Sequence, residues 1–270
     1  MRKGISVIIP TWNRAQHLAA AISSVLEQTI PPDEVLVCDD GSTDGSEEVV
    51  RGIGDGRVKW VPGPRGGRPA IPRNRGLAVS NGEWIAFLDS DDRWVADKIE
   101  RQLMVADAQN CRAVCSNAFR VDPNGQQKGR VVSWSRARIT TNDLLKTNHV
   151  ICSSAVIHHS LLTHVIGFPE DESLVACEDY ALWLRVSTQT DFAFVPQPLV
   201  VYRDDPATSV RYSSPDAVAV KKNVLNDFVA WSSTTNDTRE FRRKAQRILA
   251  RSSLRNILWE LKQTFLGAVR

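Results

Sequence analysis

The run Glu83-Trp84-Ile85-Ala86-Phe87-Leu88-Asp89-Ser90-Asp91-Asp92 constrains the fold more than any other stretch of this chain. Trp84 to Leu88 are apolar without alternation, the pattern of a strand buried on both faces. The run then gives way to three carboxylates, Asp89, Asp91 and Asp92. Carboxylates crowd together beside a core only with a cation or hydrogen-bond donors among them. Open α/β sheets bind ligands just beyond the carboxyl ends of their strands. Asp89-Ser90-Asp91 is therefore a candidate holder of a divalent metal, and the metal in turn of a diphosphate.

The preceding residues repeat the pattern. Ile5 to Ile9 reads as a buried strand stopped by Pro10, followed by the polar loop Thr11-Trp12-Asn13-Arg14. Leu18, Ala21, Ile22, Val25 and Leu26 then share one face at helical spacing. Glu34 to Cys38 reads as a second strand, ending in Asp39-Asp40-Gly41-Ser42-Thr43-Asp44-Gly45. Asp44 with Glu47 predicts a capped helix start, and Arg57 to Val61 a short third strand. This alternation implies a parallel sheet with crossover helices.

Further elements follow on the same reasoning. Gly63 to Pro69 is a basic loop without regular structure, and a helix runs from Pro72 to Ser80. Val95, Ile99, Leu103 and Ala106 mark another helix, and Ala113 to Ser116 a strand. Pro123-Asn124-Gly125 predicts a hairpin. Ser153 to Ile157 predicts a strand, and Cys177-Glu178-Asp179 opens a helix. Phe192 to Val195 and Leu199 to Tyr202 read as two short strands joined at Pro196-Gln197-Pro198. From Pro215 onward the pattern is compatible with helix.

Three polar or acidic loops thus follow buried parallel strands: Thr11/Asn13/Arg14, Asp39/Asp40 and Asp89/Asp91. In a doubly wound sheet these ends share one edge. Asp39-Asp40-Gly41-Ser42 alone reads as turn and cap chemistry rather than a site; the convergence of three loops favours a site. Oxygen ligands suit Mg2+ or Mn2+, which bridge substrate phosphates while keeping several waters. Arg73 and Asn74 either cover a solvated helix face or contact a nucleotide. Glu178-Asp179 is either a first-turn acid pair that the helix dipole favours or a base held beside substrate.

Composition narrows the classes. The chain has 270 residues, 42% of them hydrophobic, which supports a core without disulfides or a structural metal. Five cysteines form no zinc spacing and read as reduced structural thiols. The five histidines show no metal spacing. No apolar run has the length of a membrane span or a signal peptide, so the expectation is a cytoplasmic protein. From Arg239 to Arg270 nine basic residues face two acidic ones, a net +7, which leaves −4 on residues 1–238. That distribution argues against a nucleic-acid binder. In the tail Phe241, Ala245, Ile248, Leu249, Leu254, Ile257, Leu258, Leu261 and Phe265 form an amphipathic helical pattern with arginines opposite. Such a helix either packs on the rest of the chain or docks peripherally on the inner, anionic face of the cell membrane.

Taken together, the segments from Ile5 to about Ser209 resemble family 2 glycosyltransferases of the GT-A fold. Ile5 to Arg14 resembles the opening strand and loop, and Val37 to Asp44 the nucleoside-binding turn. Arg73 to Ala78 with Asn81 to Asp92 resembles the family's most specific stretch, and Glu178 to Arg185 its catalytic-base motif. The resemblance implies an α/β GT-A catalytic domain over residues 1–212, with a mostly parallel sheet flanked by helices. Residues 1–118 would bind the nucleotide sugar and 119–212 the acceptor, with a helical extension over 213–270.

It also implies an inverting glycosyl transfer, dependent on Mg2+ or Mn2+, from a nucleotide-diphosphate sugar to a saccharide or lipid-linked saccharide acceptor. The setting would be cell-surface polysaccharide synthesis. Pro10, Thr11, Asn13, Arg14, Asp39, Asp40, Arg73, Asn74, Asp89 and Ser90 would hold the nucleotide. Asp40 on a pyrimidine imide favours UDP or dTDP. Asp91 with Asp89 would hold the metal, and Asp179, with Glu178 beside it, would be the base. One departure stands out: Asp205 occupies the position before Pro206 where the family often has His. Two other classes remain open. A sugar nucleotidyltransferase is disfavoured by the lack of glycine in Pro10-Thr11-Trp12-Asn13-Arg14, and a non-catalytic nucleotide-sugar binder is made thinkable by Asp205.

Overall fold

The computed structural model describes residues 4–207 and 216–252. The chain divides into two compact units, with the boundary among residues 208–215. The expected boundary at 212/213 and the tail positions Leu254, Ile257, Leu258, Leu261 and Phe265 lie outside the described residues.

The first unit is built on a ten-stranded sheet. Its strands are β1 (Ile5–Thr11), β2 (Glu34–Asp39), β3 (Val58–Val61), β4 (Trp84–Phe87), β5 (Arg93–Trp94), β6 (Ala113–Val121), β7 (Gln127–Arg130), β8 (Arg138–Ile139), β9 (Val156–His158) and β10 (Phe192–Arg203). The spatial order is β3-β2-β1-β4-β9-β6-β10-β5, with β7 on β6 and β8 on β10. β1, β2, β3 and β4 pair in parallel, as do β6 and β10. β9 runs antiparallel between β4 and β6. The chain steps outward from β1 to β2 and β3, then returns to lay β4 on the other side of β1. The crevice between β1 and β4 is thus the switch point at which such sheets take ligands.

Every residue of β1, β2 and β4 is buried, as their unbroken apolar runs require. One face, with Ile5, Val7, Ile9, Val35, Val37, Trp84 and Ala86, packs in one core with Leu18, Ala21, Ile22 and Val25 of α1 (Ala15–Leu26) and Ile99, Leu103 and Ala106 of α4 (Lys98–Ala108). The opposite face carries α3 (Ala70–Val79). Gly76 lets α3 lie close: a Cβ there would meet Cys38 Sγ at 2.7 Å and Ile8 Cγ2 at 2.8 Å. On that face Phe87 also packs against Phe168 (centroids 5.2 Å apart) and against Trp183 (5.7 Å) of α7 (Glu178–Val186). Trp183 continues to Phe192 at 5.8 Å. Such pairs contribute about 0.5–1.5 kcal/mol each beyond their buried area. They fix α7, and so Glu178 and Asp179, against the strand that ends at Asp89.

The hairpin at Pro123-Asn124-Gly125 forms between β6 and β7. Several local expectations change. β10 is one strand rather than two, because its register with β6 shifts between Val195, Pro198 and Val200 and so absorbs the two prolines. β9 begins only at Val156, since Cys152–Ser154 form a 3-10 turn in which Ser154 Oγ donates to Ile151 O. Asp44 is not the cap of α2 (Ser46–Gly52), whose N-cap is Gly45. Asp44 instead accepts from the Ser46 amide and hydroxyl and from the Ala15 amide at the start of α1. Two short helices, α5 (Thr141–Leu144) and α6 (Leu162–Val165), complete this unit.

In the second unit α8 (Ala217–Ser232) is capped by Asp216, which accepts from the Val218 and Ala219 amides at 2.8 Å. A further helix covers 239–252; it buries Ala245, half-buries Phe241, Ile248 and Leu249, and exposes Arg243, Arg247 and Arg251. Among the described residues no helix is long and apolar enough to cross a membrane.

Candidate active site

The carboxyl ends of β1, β2 and β4, the start of α3 and the start of α7 open onto one cavity of about 570 Å³. Its wall includes Pro10, Thr11, Arg14, Asp40, Arg73, Asp89, Ser90, Asp91, Glu178 and Asp179. Residues as far apart as Pro10 and Asp179 thus meet as the sequence pattern implied.

Three of the expected residues do not line it. Asn13, with φ +52, accepts from the Thr43 amide at 2.8 Å and donates its own amide to Ser42 Oγ at 2.9 Å. It ties the first two strand-end loops together. Asp39 accepts from the Gly41 and Ser42 amides at 3.0 Å, a turn closed on itself. Asn74 donates to Phe168 O and Glu170 Oε1 and accepts from the Phe168 amide, so it anchors the loop before α7.

The residues on the wall differ in how their charges are met. Asp40 is 2% exposed and accepts from the Gly66 amide at 2.7 Å, the Gly67 amide at 2.9 Å and the Arg65 guanidinium. Arg73 is buried and bridges two motifs, donating to Asp89 Oδ1 at 2.7 Å and to Glu178 Oε1 at 2.6 Å. Phe168 lies beneath its guanidinium at 5.2 Å. Asp89 and Glu178 therefore share one cation, and Glu178 is held by it through Oε1 while its Oε2 is buried without a hydrogen-bond partner.

Asp91 and Asp179 have less. Asp91 has Arg14 at 3.8 Å, and its carboxyl is raised above the usual range by burial and by the charge of Asp89. Asp179 accepts from the neighbouring Tyr180 amide at 2.7 Å. Burial, then the charge of Glu178, pushes it up to about 7. A carboxyl poised there holds or releases a proton near neutrality. Asp92, the third acid of the run, is structural. It accepts from Ser153 Oγ at 2.5 Å and from the Arg203 amide at 2.8 Å, joining the end of β4 to the end of β10.

Among the described residues no three His, Cys, Asp or Glu side chains gather as a closed metal site would require. Asp89 and Asp91 nonetheless fit a cation that keeps waters and shares substrate phosphates, since such ions take only one or two protein carboxylates. Asp91 is raised first by burial and then by the charge of Asp89, and a cation beside the pair would relieve both.

The remaining wall is one that sequence patterns did not reveal: Arg68, Arg120, Val131, Val132, His149, Val150, Tyr202 and Arg203 among others. Arg68 approaches Glu172 at 3.6 Å, and its Nε and Nη1 are buried without partners. His149 stacks on Trp134 at 4.2 Å, and Arg136 lies over the same ring at 4.1 Å. Asp205, the residue standing where His is frequent, pairs with Arg203 at 3.3 Å. All five cysteines are buried and none forms a disulfide, and burial pushes the Cys38 thiol up to about 12.

The family model described as Glycosyl transferase family 2 matches residues 6–165. The chain belongs to that family. The UDP-Glc:alpha-D-GlcNAc-diphosphoundecaprenol beta-1,3-glucosyltransferase WfgD of Escherichia coli is 36% identical over 182 residues, 67% of this chain and 69% of that protein. The fold is shared with crystal structures of two transferases. TarS 1-349 of S. aureus, in complex with UDP-GlcNAc, superposes with a TM-score of 0.70 at 19% identity, over 92% of this chain and 71% of that fragment. The mannosyltransferase PcManGT of Pyrobaculum calidifontis, in complex with GDP-Man and Mn2+, gives 0.62 at 21% identity, over 92% and 70%. The cavity described above therefore lies in the sheet of a GT-A family 2 glycosyltransferase, at the carboxyl ends of its first strands.

Proposed function

We propose that this family 2 enzyme transfers a glycosyl group, with inversion, from a UDP-sugar to a hydroxyl of a lipid-linked saccharide, in the assembly of a bacterial surface polysaccharide. One observation carries the reading. Asp40, the Asp89/Asp91 pair and Asp179 share a single cavity, and their charges are met in three different ways. A satisfied buried carboxylate suits recognition of a base, a pair short of cation suits a diphosphate, and a carboxyl near neutrality suits proton transfer. The name of the Escherichia coli relative supports a UDP-sugar and a diphosphoundecaprenol-linked acceptor.

In this reading the uracil imide N–H lies against Asp40, beside the Trp12 face. Asp179 in its ionised form accepts the proton of the acceptor hydroxyl as that oxygen bonds to the anomeric carbon and the bond to the nucleotide diphosphate breaks. Arg73 offsets part of the negative charge that Glu178 and Asp89 place around Asp179. Arg68, with two donors unpartnered, is placed to meet the charge that develops on the departing diphosphate. Asp89 and Asp91 would hold Mg2+ or Mn2+, which supplies Lewis-acid stabilisation of the same charge. Val131, Val132 and Val150 with Arg120 and Arg203 offer a wall both apolar and cationic, suited to an acceptor bearing a lipid and a diphosphate.

A thermal-shift panel of UDP, dTDP, GDP and CMP, each with and without Mn2+, tests the donor side. Stabilisation by UDP, enlarged by Mn2+, is expected; stabilisation by none of the four sinks the reading. Release of pyrophosphate from a nucleoside triphosphate would instead favour nucleotidyl transfer. Binding without transfer across many donors would favour a non-catalytic role, to which Asp205 gives its only support. A peripheral place on the cytoplasmic membrane face suits a lipid-linked acceptor, with the basic tail as the contact. Liposome flotation of the full chain and of residues 1–236 tests it, and equal recovery of both would remove the tail from that role.

A further inference from the structure

Part of the cavity wall pairs an aromatic face, Trp12, with a buried carboxylate, Asp40. Both are already taken, and by one side chain. The guanidinium carbon of Arg65 lies 3.7 Å over the centroid of the Trp12 ring, and its Nη1 donates to Asp40 Oδ2. The approach is built into the backbone. Gly41 has φ +78, and a Cβ there would lie 3.0 Å from the Arg65 amide nitrogen and 3.2 Å from its Cβ. No side chain at 41 would let the turn after β2 meet the Gly63–Pro69 loop so closely. The Gly66 and Gly67 amides then complete the shell around Asp40.

A guanidinium is flat, stacks on aromatic rings and presents N–H donors in its own plane. A pyrimidine imide has the same three properties. The Arg65 side chain is 42% exposed, whereas that of Asp40 is 3% exposed, so the arginine is the partner free to leave. We propose that Arg65 occupies the nucleobase seat of the free enzyme, and that binding of a nucleoside diphosphate displaces its guanidinium from Trp12 and Asp40. The inference rests on the reading of Trp12 and Asp40 as that seat. It makes Arg65 an internal competitor. A base gains the seat only if it returns to Asp40 the in-plane donor that Arg65 gives up, because a buried carboxylate left short of a donor is costly. Uracil does so through its imide N–H, whereas cytosine presents an acceptor at that ring position.

The test is calorimetric titration of UDP into wild type, Arg65→Ala, Arg65→Gln and Asp40→Asn, with stopped-flow association rates alongside. Removing a partly exposed charge pair that must break on binding is expected to tighten UDP roughly three- to tenfold in Arg65→Ala. Arg65→Gln, which keeps a planar amide but no charge, is expected to fall between Arg65→Ala and wild type, and association is expected to quicken in both. If Arg65→Ala binds UDP as wild type does, or more weakly, the guanidinium is not a competitor and the proposal is overturned. In that case a weakened Asp40→Asn would leave the seat itself standing. If Asp40→Asn binds UDP as tightly as wild type, the seat reading fails and the proposal with it.

Discussion

Asp40 and Asp179 stand on the wall of the same cavity, yet the chain treats their charges in opposite ways. Asp40 receives three donors from the Arg65–Gly67 segment alone. Asp179 receives the amide next to it, is buried and faces the charge of Glu178, and burial first and that charge second raise its carboxyl to about 7. The difference follows from where the buried guanidinium of Arg73 was placed. Arg73 is shared by Asp89 and Glu178 and makes no hydrogen bond to Asp91 or Asp179. A carboxylate whose partners are satisfied can exchange one hydrogen bond for another, which is binding. A carboxyl short of partners can exchange a proton or take a cation, which is chemistry.

The largest expected effect breaks or keeps that division. Asp179→Asn removes the proton acceptor without removing a shape, so turnover should fall about 10²- to 10⁴-fold while UDP affinity holds. Wild-type turnover by this variant would place the base elsewhere. The pH dependence carries the same claim with a definite sign. The ionised form is the active one, so kcat/KM should climb about tenfold per pH unit below 7 and level above it. Stability should move the other way. Between the ordinary carboxyl value of 3.8 and about 7 the native state binds more protons than the unfolded chain. The resulting stability is full below that window and is lost as pH rises through 7. Asn at 179 should flatten both curves together, as read by initial rates and by urea titrations across pH.

Asp91→Asn and Asp40→Asn sharpen the comparison at smaller magnitude. The first should lower turnover on the order of a hundredfold and abolish the Mn2+-dependent part of the UDP thermal shift, while the UDP shift without metal remains. The second should weaken UDP binding by about 1–3 kcal/mol, since three donors then face a neutral amide, with the Mn2+ increment intact. If both variants lost the same quantity, the two stations would not be distinct.

The strand-end part of the cavity was legible in the sequence, because strand burial and strand-end chemistry are written in adjacent residues. Trp84 to Leu88 could be read as a buried strand and Asp89 to Asp92 as its polar end without knowing any neighbour. The assignments that changed involve partners chosen by long-range packing. Asn74 looked like a ligand on a helix, and only the 94-residue reach to Phe168 shows it as an anchor. Arg73 looked like a nucleotide contact, and its bridge to Glu178 spans 105 positions. The wall bearing Arg120, Val131, Val132 and His149 had no pattern to read, because its side chains come from β6 and from irregular loops. Single residues there carry no periodicity.

Lys98 offers the smallest effect and the cleanest control on the comparison. It too is an ionisable group without compensation. It is fully buried, its Nζ lacks a hydrogen-bond partner, and it lies 4.0 Å from the centroid of the Trp94 ring. Burial holds its amine well below the usual lysine value. Unlike Asp179 it is not on the wall of this cavity, so it should matter to stability alone. The unfolded chain binds a proton that the native state resists, so stability should rise with pH toward 10.5. Lys98→Met removes the desolvated amine and keeps the volume. It should therefore stabilise the fold by about 1–2 kcal/mol at neutral pH, a Tm rise of roughly 2–8 °C, and flatten that slope. Turnover should be unchanged. A fall in turnover comparable to that of Asp91→Asn would mean that uncompensated burial acts at a distance from the cavity. It would then no longer be the cavity that separates a functional carboxyl from a merely strained amine.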